Sequence, residues 1–194
     1  MRAVRVPAFM AALLLSASAA VGCVATIPFR EMPAHDYVAD TGEPLRIVLT
    51  DETGPDPAWH GAVAGARDAF AAAVPKLRFD AAPADAHIVI VVRRYTDAAP
   101  PAIDGYRFQP GVGGFAAVYD ASDKACNFPP SPLPLNCSGE IARAVIYLND
   151  AIPPGPEIEE RRLRLMLHEL GHALGLTRHA PTVDAQALAD RYGW

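Results

Sequence analysis

Residues 168–179 read HELGHALGLTRH, which places His168, Glu169 and His172 together as His-Glu-Leu-Gly-His. Those residue types at that spacing suit one chemistry. An α-helix turns once in about 3.6 residues, so the two imidazoles share a face about 6 Å apart along the axis and can converge on one tetrahedral Zn²⁺. Glu169, next to the first of them, is then held beside the metal rather than on it, where its carboxylate can take a proton from metal-bound water. Neutral nitrogen ligands leave the ion electron-poor, which favours hydroxide near neutral pH. The expected activity is zinc-dependent hydrolysis of peptide bonds, with Glu169 as general base. The plain alternative is an amphipathic helix that carries two satisfied surface histidines.

The flanks supply what a metal-binding helix needs. Pro153-Pro154-Gly155-Pro156 cannot be helical, and Glu157, Glu159 and Glu160 then fall where a helix N-terminus favours negative charge. Leu163, Met166, Leu167, Leu170 and Leu174 recur at helical spacing and predict a buried stripe. Gly175 stands where the helix should end, in the left-handed conformation that glycine adopts without steric cost. The chain can reverse there and return a third ligand, His179.

Upstream of this helix the pattern alternates between strands and one helix. Leu45–Leu49 reads as a strand, and Asp56-Pro57 starts a helix with a capping acid and a proline at its first position. The stripe of that helix is Trp59, Val63, Ala66, Phe70 and Val74. Leu77–Phe79 is a short second strand, and Ile88–Val92 is a β-branched run expected to be buried on both faces. Phe115–Tyr119 and Ala144–Leu148 are two more strands, and a last helix runs from about Thr182 to Tyr192. Segments 96–114 and 121–139 are long, rich in glycine and proline, and read as functional or stapled loops.

The beginning of the chain reads as a targeting segment. Arg2 and Arg5 precede an apolar, small-residue run from Phe9 to Val21. Ala20-Val21-Gly22-Cys23 resembles a bacterial lipobox, which implies a signal peptide over 1–22, acylation of Cys23 and an envelope lipoprotein anchored to the membrane. Cleavage after Ala19, following Ala17-Ser18-Ala19, is the rival, and would make the protein periplasmic or secreted. With Cys23 lipidated, Cys126 and Cys137 remain and can pair as a disulfide in an oxidising compartment, closing the second long loop. Residues 23–44 read as a tether and 45–194 as one domain. Without 1–22 there are 172 residues, 15 basic (17 less Arg2 and Arg5) and 22 acidic, for a net charge of −7. That balance gives no electrostatic support for nucleic-acid binding.

The motif HELGHALGL resembles the metzincin pattern HExxHxxGxxH, and the order strand, helix, four strands, zinc-binding helix resembles matrixin catalytic domains, one branch of that family. The likeness spans roughly residues 43–194 and is specific only around the motif. It implies an α+β fold: a twisted five-stranded mixed sheet packed by helices, an active-site helix and a C-terminal helix, here resembled by residues 184–193. It also implies a monomeric zinc endopeptidase whose substrate, a peptide or protein, adds to an edge strand by β-augmentation. Zinc would be held by His168, His172 and a third histidine. The eleventh position of the motif, where that histidine should fall, is Arg178; His179 stands one place later, with Asp184 as a fallback carboxylate. The methionine turn of metzincins has no counterpart, since the methionines are Met1, Met10, Met32 and Met166. These departures motivate a second hypothesis, a catalytically weak or inactive, zinc-stabilised envelope lipoprotein that binds peptides or partner proteins. A purely structural zinc site would not need Glu169, which favours the enzyme.

Other chemistry-bearing residues have ordinary readings. His35, His60 and His87 fit surface or partly buried positions. Tyr106, Tyr119 and Tyr147 could donate to an oxyanion but fit core packing better. Asp120 and Asp123, near Gly111, Gly113 and Gly114, could touch a structural Ca²⁺ as matrixin loops do. Arg161, Arg162 and Arg164 read as a solvated helix face.

Overall fold

Asp56 and Pro57 start the first helix as their chemistry requires: the Asp56 carboxylate accepts from the backbone N–H of Ala58 at 2.9 Å, and proline occupies a position that has no partner for an N–H. The computed structural model describes residues 44–54, 56–80, 86–94, 102–103, 106–107, 112–120, 122–123, 141–151, 155, 157–176 and 182–192. Their elements in chain order are β1 (Leu45–Asp51), α1 (Pro57–Ala73), β2 (Phe79–Asp80), β3 (Ile88–Arg93), β4 (Ala102–Ile103), β5 (Tyr106–Arg107), β6 (Gly114–Tyr119), β7 (Arg143–Asn149), α2 (Ile158–Ala173) and α3 (Ala185–Tyr192).

The fold is α+β, with a five-stranded mixed sheet in the order β2-β1-β3-β7-β6. β2, β1, β3 and β7 are parallel, and β6 runs antiparallel to β7 along one edge. Register places apolar residues opposite one another across the centre: Ile47 faces Ile88, Ile88 faces Ala144, and Ile146 faces Ala116.

Alternation along the strands divides their side chains between two apolar clusters. Ile47, Ile88, Ile90, Val92, Ala116, Val118, Ile146 and Leu148 join Trp59, Ala66 and Phe70 of α1 and Met166 and Leu170 of α2 in the main core. Val112, Phe115, Ala117, Tyr119 and Val145 form a smaller cluster, against which Val89, Val91 and Tyr147 pack. β3 is therefore not buried equally on both faces. Ile88, Ile90 and Val92 are fully buried, whereas Val89 and Val91 are half-buried.

Two further expectations are displaced. The second strand is Phe79–Asp80, paired with Leu45 and Arg46, rather than Leu77–Phe79; Leu77 is instead a core residue of the turn before it. The first long segment contains the antiparallel pair β4 and β5; the Asp104-Gly105 pair between them in sequence is a hairpin signature that the reading of this segment as a loop passed over.

Arg162 overturns the reading of its helix face as solvated. It is 7% exposed, and its guanidinium bonds Asp150 at the end of β7 at 2.8 Å and Asp56 at the start of α1 at 2.7 Å. The Trp59 indole N–H donates to Asp150 at 2.7 Å, and Arg94 reaches its second oxygen at 3.1 Å. Arg164 does behave as a surface residue, paired with Glu160 one turn back.

α2 ends as Gly175 demands. The N–H of Leu176 bonds the carbonyl of Gly171 at 2.9 Å and the N–H of Gly175 bonds that of His172 at 2.8 Å, a Schellman closure with Gly175 at φ 84°. A Cβ in that conformation meets the following carbonyl, so Gly175→Ala should cost about 1–2 kcal/mol, read as a lower urea midpoint with an unchanged slope.

Candidate metal centre

His168 and His172 lie one turn apart on α2, and their Nε2 atoms approach to 3.2 Å with the rings edge to face. Zinc–nitrogen bonds of about 2.0–2.1 Å at a tetrahedral angle separate two ligand nitrogens by about 3.3–3.4 Å. The pair is thus spaced as two ligands of one ion.

The tautomer is also set. Nδ1 of His172 lies 2.7 Å from the carbonyl oxygen of Leu176, which can only accept, so Nδ1 carries the proton. In the neutral ring Nε2 then keeps its lone pair for a metal, the arrangement that a carbonyl behind a ligating histidine ordinarily secures. The closure at Gly175 creates this partner by folding Leu176 back over the last turn of the helix.

Glu169 projects elsewhere. It is fully buried, and neither carboxylate oxygen has a well-formed hydrogen bond. Burial pushes its pKa up to about 8, partly opposed by the backbone of Ala116 in β6. A dication nearby would favour the charged form and draw the value back down. A buried, poorly partnered carboxylate is costly, and packing alone gives no reason to keep one.

The space for Glu169 depends on a residue whose role the sequence did not disclose. A Cβ at Gly114 would lie 3.0 Å from the carbonyl oxygen of Tyr147, 3.1 Å from Cδ2 of Leu148 and 3.2 Å from Cγ of Glu169. A side chain there would crowd β7 and Glu169 and ask each to give by a few tenths of an ångström, so glycine suits the close approach. A glycine at the head of a strand is the signal that could have marked the close approach.

The other expected residues divide as follows. Asp184 does not join the histidines; its carboxylate accepts from the N–H of Ala187 at 2.9 Å and caps α3, so the fallback ligand is a helix cap. Among the described residues, no group of three or more His, Cys, Asp or Glu could hold a metal. His179 lies outside the described residues, as do Cys23, Cys126, Cys137, His35 and the side chain of Tyr106. His60 is exposed, and His87 accepts from the backbone N–H of Arg46 at 3.2 Å. Tyr119 and Tyr147 belong to the smaller apolar cluster, where Tyr147 meets the Phe115 ring at 4.9 Å and Arg143 lies over Tyr119. Asp120 accepts from Ser122 in the turn after β6, and Asp123 pairs with Arg143. Among the described residues no helix is long and apolar enough to cross a membrane.

A comparison with protein-family models gives no match, and neither does one with curated protein sequences.

Proposed function

We propose that this chain is a zinc-dependent endopeptidase with a matrixin-like catalytic domain. The observation that carries the proposal is the pair of Nε2 atoms 3.2 Å apart, with the tautomer of one fixed, on a helix that also buries a carboxylate. The strand order supports the fold assignment: with the short β4–β5 pair set aside, the chain runs strand, helix, four strands, motif helix, closing helix.

Bound at His168 and His172, Zn²⁺ would supply Lewis acidity, polarising a peptide carbonyl and acidifying water. The two imidazoles would hold it through Nε2, with His179 as proposed third ligand. Glu169 takes a proton from the attacking water and delivers it to the leaving amine. Gly114 keeps the backbone of β6 against that carboxylate. The substrate is proposed to be an extended peptide that pairs with β6, the edge strand on the α2 side. All six residues of β6 are buried, so such a peptide has first to gain access to that edge. We further propose export through residues 1–22, acylation of Cys23 with 23–44 as tether, a Cys126–Cys137 disulfide and action as a monomer.

The test uses purified protein. Elemental analysis should find one zinc per chain, and cleavage of an unbiased peptide mixture should stop on chelation and return with added Zn²⁺. Zinc without turnover would select the binding-only lipoprotein. A chain with no zinc and no affinity for it would end the metal reading.

A further inference from the structure

Tyr192, in the last turn of α3, donates its hydroxyl to the carbonyl of Leu174 at 2.6 Å. Leu174 is the residue on which α2 ends, fully buried, and its carbonyl is one of those that a helix C-terminus leaves without an internal partner. The bond lies 18 residues from its own partner in sequence, so nothing local requires it. It falls on the one turn whose geometry matters to the histidine pair. Leu174, Gly175 and Leu176 form the closure of α2, and the carbonyl of Leu176 accepts from Nδ1 of His172.

We infer that Tyr192 is a positioning residue for His172: it latches the terminal turn of α2 so that the Leu176 carbonyl stays on Nδ1, leaving Nε2 of the neutral ring free for a metal. The inference rests on the zinc reading for its purpose but not for its geometry. A single residue, Gly175, separates the latched carbonyl from the one that bonds His172, and it sits at positive φ. A glycine there gives the turn its shape and, lacking a Cβ, restrains it least. Holding Leu174 from outside the helix removes that freedom. α3 is itself anchored, by the Asp184 cap at one end and by Leu188, fully buried in the main core. The latch thus couples a rigid element to a flexible turn. Loss of the hydroxyl would let the turn relax, let the Leu176 carbonyl drift, and let the proton of His172 move to Nε2, where it blocks coordination.

Tyr192→Phe removes the hydroxyl and keeps the ring. Nitrogen-15 spectra of metal-free protein read the tautomer directly. The wild type should show His172 protonated at Nδ1, and Tyr192→Phe should show a mixture of tautomers. Zinc affinity, measured by competition with a chelating dye, should fall about tenfold, the low end for a partner one step behind a ligand. Ile47→Ala is the control: it opens a cavity in the core at β1, outside α2 and α3, and should lower stability while leaving the His172 tautomer as in the wild type. An unchanged tautomer and a zinc affinity within twofold of wild type in Tyr192→Phe would overturn the latch. So would Ile47→Ala producing the same mixture, because the effect would then be one of general stability. If wild-type protein shows the Nδ1 tautomer and Tyr192→Phe loses it, yet neither binds zinc, the latch stands and the metal reading fails.

Discussion

Glu169→Gln is expected to bind zinc as the wild type does and to lose peptide cleavage by about a thousandfold, within the range of about 10²–10⁴ that general acid–base catalysis contributes. The change swaps one carboxylate oxygen for an amide NH₂ and keeps the volume. In a site where both oxygens are buried and a Cβ at Gly114 would meet Cγ at 3.2 Å, volume matters as much as charge. The histidine nitrogens stay 3.2 Å apart because nothing in the substitution reaches them, so stoichiometric zinc should remain. On the proposed mechanism, what disappears is the acceptor that takes the water proton and hands it to the amine. Glu169→Asp is the useful companion. It keeps the carboxylate but withdraws it by one methylene from the wall formed by β6, and should show intermediate activity with wild-type zinc content. Measured kcat/KM on one defined peptide decides the matter. Cleavage by Glu169→Gln within tenfold of wild type would remove Glu169 from the mechanism, whatever the metal content.

The histidine–glutamate helix was legible because the signals that bound it are local. The prolines before Glu157, the leucine and methionine stripe and Gly175 each act within a few residues, and the helix begins and ends where they require. The same holds for α1, whose cap and stripe are all read from residues 56–74. Strands were legible where β-branched and aromatic residues run together, as at Ile88–Val92. They were misplaced where pairing decides, as at β2, which is a strand only because Leu45 and Arg46 lie beside it.

What stayed hidden depends on distant partners. Gly114 suits its place because Tyr147 and Glu169 converge on it, a fact no window around residue 114 contains. Asp184 is a plausible ligand by type, and only the position of α3 makes it a cap. Arg162 precedes Met166 and Leu170 by successive steps of four residues, so it shares the face that packs into the core. Its charge argued for solvent, and the two carboxylates that make burial tolerable stand at Asp56 and Asp150, on other elements.

Asp150→Ala is expected to cost about 3–5 kcal/mol, the usual consequence of stripping one partner from a buried ion pair. Asp150 is 7% exposed and accepts from the indole of Trp59 and the guanidinium of Arg162, both buried, and from the more exposed Arg94. Its removal leaves the Trp59 N–H with no acceptor and the Arg162 charge with Asp56 alone, and both are penalties of desolvation rather than lost attraction. Against a typical total of about 5–15 kcal/mol, such a loss should be plain in urea denaturation. The pH dependence has a definite sign. Burial pushes the Asp150 carboxyl up, but hydrogen bonds from Trp59, Arg162 and Arg94 together outweigh it and hold its pKa below the ordinary carboxylate value. A folded-state pKa below the unfolded one means stability that is fully present above about pH 4 and is lost as pH falls through the folded value. Wild type should therefore lose its advantage over Asp150→Ala on acidification below the usual carboxylate range, and the two unfolding curves should draw together there. Replacing both charges, as in Asp150→Leu with Arg162→Met, should recover much of the loss at neutral pH, because buried pairs are costly to break singly and cheap to replace by apolar volume. Because Arg162 lies six residues before His168 on the same helix, zinc affinity of the double variant also reads whether the network fixes the helix for the metal or only holds it to the sheet. An Asp150→Ala variant less than about 1 kcal/mol weaker than wild type would mean that the network is surface-like in energy despite its burial.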